Sequence, residues 1–144
     1  MDELKRTVLY DWHKAAGARF APFAGWEMPI QYGTGPIEEH HLTRRSAGLF
    51  DISHMGRFEV SGEDAAAFLD GLVSSSVGSL KDGESRYGLL CRGDGGILDD
   101  LFVYRLLPYS FLVVVNASNR AKDFAWFREH SGGRRVSEIG RAHV

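Results

Sequence analysis

Cysteine, long apolar runs and an excess of charge of one sign are what this 144-residue sequence lacks, and each shortage excludes a class of protein. The lone Cys91 cannot form an internal disulfide, and with no second cysteine or spaced histidine cluster it is a poor metal ligand, so core packing is its expected role. Apolar runs such as Phe111 to Val115 fall far short of the roughly 20 residues needed to cross a bilayer, so no membrane span is expected. Seventeen Lys and Arg against nineteen Asp and Glu, mixed along the chain, leave no basic stripe for a phosphate backbone, so nucleic acid is not an expected partner. The charged opening Met1-Asp2-Glu3-Leu4-Lys5-Arg6 is followed by no apolar segment. Neither a secretory signal nor a transit peptide is expected there, and the reading places the chain in a bacterial-type cytoplasm.

What is present suffices for one real core, with 44% hydrophobic and 12% aromatic residues. Helical and strand patterns alternate without repeats, which predicts an α+β fold with a mixed or antiparallel sheet and packed helices. Leu9, Trp12 and Ala16 at helical spacing, with Gly17 as a cap, predict a helix over 7–16. Gly25-Trp26 and Met28-Pro29 read as a bend that buries a ring. Pro36 in a first turn and Gly48 at the far end predict a second helix over 37–47. Alternation in Arg57-Phe58-Glu59-Val60 predicts a strand, and Ser61-Gly62-Glu63-Asp64 a capping box for a helix with the face Ala65, Phe68, Leu69 and Leu72. A hairpin is predicted from 87–91 and 97–106 around the turn Arg92-Gly93-Asp94-Gly95-Gly96. A buried strand over 111–115 and a helix over 120–130, capped by Ser118, complete the pattern.

Asp99-Asp100 is the physical anomaly, because two charges interrupt the strand pattern Ile97 to Tyr104. Side chains alternate across a strand, so the carboxylates point to opposite faces, each among apolar neighbours. Burying an unpaired carboxylate costs several kcal/mol, so at least one requires a specific partner or a ligand. Two readings stay open: one aspartate caps a turn or bridges to an arginine such as Arg86, or the pair marks a site. The histidines are less informative. Adjacent His40 and His41 diverge by about 100° on a helix and do not form the i, i+4 pair of a zinc site. His54 reads as a neutral core or edge residue.

Gly95-Gly96-Ile97-Leu98-Asp99-Asp100-Leu101, Val103-Tyr104 and Val114-Val115-Asn116-Ala117-Ser118-Asn119-Arg120 resemble the T-protein family of the glycine cleavage system. So do Leu9-Tyr10-Asp11-Trp12-His13, Gly17-Ala18-Arg19, Phe23-Ala24-Gly25-Trp26-Glu27-Met28-Pro29 and Gly48-Leu49-Phe50-Asp51-Ile52-Ser53-His54-Met55, in the same order. The resemblance spans about 6 to 130 and implies the N-terminal part of an aminomethyltransferase. Its reaction passes an aminomethyl group from the lipoyl arm of the H-protein to tetrahydrofolate, yielding methylenetetrahydrofolate and ammonia. It implies no metal and no flavin. It also implies a catalytic role for Asp99, with Asp100 structural, and a folate pocket lined by Met55, Tyr87 and Asn116. Without the resemblance these three read as a core filler, a strand aromatic and a turn or helix-start residue.

The chain departs from the family at Ser74-Ser75-Ser76-Val77, where Asn-Asp-Val is usual, and in being less than half as long. The domain reading is therefore 1–130 as the N-terminal part of the folate-binding region, and 131–144 as a disordered or non-native tail of a truncated read. The fragment alone is expected to be inactive. Three alternatives remain: a non-catalytic folate-binding module related to iron-sulfur assembly or tRNA-modification proteins, the folate domain of a dimethylglycine- or sarcosine-oxidising flavoenzyme, and a domain with no site.

Overall fold

The computed structural model describes residues 3–136 and 138–141. The chain forms two compact units, Met1–His54 and Met55–Val144.

The first unit contains α1 (Tyr10–Ala15), β1 (Arg19–Phe23), β2 (Trp26–Gln31) and α2 (Gly35–Arg45). Gly17, at φ 76°, ends the first helix as expected. The expected face does not pack: Trp12 is 61% exposed, and the buried residue of α1 is His13. The expected bend is an antiparallel hairpin in which Phe23 pairs with Trp26 across Ala24-Gly25. Both turn residues have positive φ, 50° and 81°, the backbone hand that matches the right-handed twist of two strands. Trp26 is half-buried, with the Lys5 ammonium 5.8 Å from its ring centre. Pro36 occupies the first turn of α2 as expected, and the helix ends two residues before Ala47.

The second unit is a five-stranded antiparallel sheet in the order β4-β5-β6-β3-β7, from β3 (Gly56–Ser61), β4 (Ser85–Cys91), β5 (Ile97–Leu107), β6 (Ser110–Val115) and β7 (Glu138–Arg141). Two helices, α3 (Ala65–Asp70) and α4 (Arg120–His130), cover one face. Phe58, Val60, Leu90, Leu101, Val103, Phe111, Val113 and Val115 from that face meet Phe68 and Leu69 of α3 and Phe127 of α4. Phe127 stands edge-on to both Phe58 and Phe68. The expected face of α3 is buried, and Asp64, the residue at its N-cap, makes no side-chain cap hydrogen bond but accepts the Arg135 N–H at 2.8 Å. Asn119, not Ser118, precedes α4.

Within the stretch read as a disordered or non-native tail, Glu138–Arg141 pairs with β3, where the open backbone groups of a sheet edge are satisfied by another strand. Residues 137 and 142–144 lie outside the described residues. Cys91, expected in the core, is half-buried at the end of β4, beside a register shift.

Candidate functional site

The alternation along β5 separates the two aspartates. Asp99, Leu101 and Val103 face the helices, whereas Asp100, Phe102 and Tyr104 occupy the opposite, exposed face. Register extends that face sideways: Tyr87 pairs with Phe102, Phe102 with Val114, and Val114 with Arg57. Tyr104 follows on the same side, paired with Leu112. The ring centres of Tyr87 and Phe102 are 5.4 Å apart, and those of Phe102 and Tyr104 6.2 Å. Tyr87 is 51% and Phe102 43% exposed, so three neighbouring rings form an open aromatic platform.

Polar groups gather at one end of it. The Asn116 side-chain amide donates to Asp100 Oδ1 at 2.9 Å and to the Asp100 carbonyl at 3.1 Å. The Tyr87 hydroxyl makes a longer contact, 3.3 Å, with Asp100 Oδ2. Desolvation and the neighbouring Asp100 charge both raise the Tyr87 phenol, which stays a neutral donor. Met55 is half-buried and precedes β3 by one residue; Gly56 pairs with Val115, so strand register puts Met55 at the end where Asn116 follows β6.

The catalytic role implied for Asp99 meets a different environment. Asp99 is 5% exposed, and its oxygens are filled by the Asn116 N–H at 3.1 Å, the Asn116 amide at 2.9 Å and the Asn119 amide at 2.7 Å. Burial pushes its carboxyl up, but the neighbouring Asp123 carboxyl and these donors outweigh it and leave the group below the ordinary carboxylate range. Asp99 thus lies nearly buried on the helix-facing side of the sheet, while Asp100 is on the exposed side. The bridge to Arg86 does not form either: Arg86 donates to the Ser76 carbonyl and to Ser79 Oγ.

A second polar grouping, absent from the expectations, sits within the first unit. His13 Nε2 lies 3.0 Å from Asp51 Oδ2, and His13 Nδ1 lies 2.6 Å from the Tyr32 hydroxyl. Because the ionised Asp51 can only accept, Nε2 carries the proton of that bond. Asp51 also accepts the Ser53 N–H and hydroxyl. Burial raises the Asp51 carboxyl, but Ser53 and His13 hold it well below the usual range. The network ties the irregular segment after α2 to α1 and to Tyr32, the residue after β2, beside a cleft of about 530 Å³ lined by Met28, Leu42 and Phe50 among others. Among the described residues there is no group of three or more His, Cys, Asp or Glu that could hold a metal ion.

Residues 9–143 match the GCVT N-terminal domain family. This chain belongs to that family. Among similar proteins, the aminomethyltransferase of Desulfitobacterium hafniense (strain DSM 10664 / DCB-2) is 50% identical over 142 residues, covering 99% of this chain and 39% of the relative. That of Chlorobium phaeobacteroides (strain DSM 266 / SMG 266 / 2430) is 49% identical over 129 residues, 90% of this chain and 35% of the relative. The crystal structure of glycine cleavage system aminomethyltransferase T from Bartonella henselae superposes with a TM-score of 0.91 at 42% identity, over 97% of this chain and 38% of that one. The chain therefore spans well under half the length of the relatives it matches. Within the GCVT N-terminal domain described here, Asp100, Tyr87 and Asn116 are brought together, with Phe102 and Tyr104 beside them.

Proposed function

We propose that this protein is the N-terminal part of a tetrahydrofolate-dependent aminomethyltransferase of the glycine cleavage system, with the exposed sheet face of the second unit as the folate-facing surface. Family membership and aminomethyltransferase relatives at about 50% identity support the reaction class. The observation that carries the site is the Asp100, Asn116 and Tyr87 cluster beside an open aromatic platform. A flat pterin can stack on Tyr87, Phe102 or Tyr104, while Asn116 and Asp100 meet its donor edge.

In the reaction, the aminomethyl carbon leaves the lipoyl sulfur of the H-protein and bonds to two folate nitrogens, and its own nitrogen departs as ammonia. Positive charge develops on that carbon as the sulfur leaves. Asp100, on the exposed face, is the carboxylate we place nearest to that carbon and to the folate N–H groups, with Asp99, the carboxylate for which the resemblance implies the catalytic role, joined to it through the shared Asn116 amide. Met55 supplies a deformable wall at the same end. The protein contributes orientation and electrostatics, with folate as the one-carbon acceptor and no metal required. We place the reaction in the cytoplasm. No helix among the described residues is long and apolar enough to cross a membrane.

The test is formation of methylenetetrahydrofolate from aminomethyl-loaded H-protein and tetrahydrofolate, with a chain extended to the relatives' length. Turnover is expected there, and negligible turnover from residues 1–144 alone. An extended chain that binds tetrahydrofolate but transfers nothing would make the protein a folate-binding module.

A further inference from the structure

We infer that Asp123 is a positioning residue: a buried carboxylic acid whose O–H donates to Asp99 and which, through Asp99 and Asn116, fixes the Asp100 carboxylate on the exposed sheet face. Asp123 sits in the first turn of α4 and is fully buried. Neither of its oxygens receives a hydrogen bond from any donor among the described residues. Lys122 Nζ, 3.9 Å from Asp123 Oδ1, is beyond hydrogen-bond reach and donates to the Leu98 carbonyl instead. A bare carboxylate in that position, next to the ionised Asp99, would be a second buried charge of the same sign with nothing to offset it.

One proton resolves the conflict, and the surroundings decide which carboxyl holds it. Asp99 faces three N–H donors, from the Asn116 backbone and from the Asn116 and Asn119 side chains, so it must accept. Asp123 faces none, so it must donate. Burial and the Asp99 charge push the Asp123 carboxyl up to about 8, against a smaller downward pull from Lys122. Asp99 of β5 and Lys122 of its own helix are the charged groups that face it.

The consequence reaches the platform through one amide. Asn116 Nδ2 lies 2.9 Å from Asp99 Oδ1 and 2.9 Å from Asp100 Oδ1. With acceptors on both sides, the amide can present only its NH2, which fixes its flip and holds Asp100. Asp123 thus acts on the folate-facing carboxylate from the far side of the sheet without touching ligand. That last step rests on the functional reading above; the buried acid–carboxylate pair does not.

Carboxyl-labelled aspartate in residues 1–144, followed by 13C NMR against pH, tests the pair without ligand. One carboxyl is expected to stay protonated at neutral pH, to titrate near 8, and to vanish in Asp123→Asn. The amide of that variant replaces the O–H donor, so the Asn116 NH2 signals keep their place and slow exchange. Asp123→Leu, which has no donor, should speed Asn116 NH2 exchange at least tenfold and displace the Asp100 backbone amide signal while core methyl signals stay put. An Asp123 carboxyl titrating in the ordinary range near 4 would overturn the inference. So would an Asp123→Asn chain whose Asn116 NH2 signals are displaced from their wild-type positions and exchange at least tenfold faster than in the wild type; both readouts hold if the leucine variant does not fold. In the extended chain, Asp123→Asn should retain kcat and Asp123→Leu should lose it with KM for tetrahydrofolate little changed. A wild-type chain that shows the titration but never binds tetrahydrofolate would overturn the functional reading alone.

Discussion

Adjacent aspartates with opposite fates show how strand parity sorts two identical side chains. Asp100 lies in the open, so Asp100→Asn should change stability by less than about 0.5 kcal/mol in urea melts while lowering turnover of the extended chain. Asp99→Asn places an NH2 against three N–H donors, and should cost about 1–3 kcal/mol. The pH dependence follows from the group behind them. Asp123 is raised when folded, so its stabilisation is fully present below its unfolded value near 3.8 and is lost as pH rises towards about 8. Denaturation series should therefore show stability falling across that window by at most about 1.4 kcal/mol per pH unit, and Asp123→Asn should flatten the slope. Asp99, lowered when folded, acts oppositely, its contribution being lost as pH falls through the acidic range. The sequence made the aspartate pair conspicuous, but Leu101 and Val103 flank one parity and Leu98, Phe102 and Tyr104 the other. Neither pattern is the more apolar, so only tertiary packing reveals which carboxylate is buried. Asp123 stands in an unremarkable Lys-Asp pair and gives no signal until α4 is docked on the sheet.

At the scale of elements, segments with a clear apolar period or a glycine-marked turn are readable from sequence, and those without one are not. The face Ala65, Phe68, Leu69 and Leu72, the hairpin around Gly93 to Gly96, and the helix 120–130 all follow from spacing. The β1–β2 hairpin does not, because Pro22 and Pro29 argue against strands and Ala24-Gly25 lacks the usual asparagine of its turn. Ala24 pays for its positive φ, so Ala24→Asn should raise stability by about 0.5–1 kcal/mol in thermal melts. Close approach governs Gly56, where an added Cβ would lie 2.5 Å from Val115 Cγ2 and 2.8 Å from Arg120 Cγ. Gly56→Ala should accordingly cost about 1–3 kcal/mol, and it would disturb the start of β3 beside Met55.

For the whole molecule, two units and a match to under half of each relative define what this chain can be asked to do. Sequence motifs carry the family, but not the division at His54 and Met55, because no proline- or glycine-rich linker marks it. The central claim is that tetrahydrofolate meets the exposed sheet face of the second unit, with Asp100 as its carboxylate contact. The measurement that tests it most directly is a 15N-resolved NMR titration of residues 1–144 with tetrahydrofolate. The account predicts shifts concentrated at Tyr87, Asp100, Phe102, Tyr104 and Asn116, and their loss in Tyr87→Ala. Shifts confined to the cleft beside His13 and Tyr32, or an unchanged spectrum at the sheet face, would contradict it.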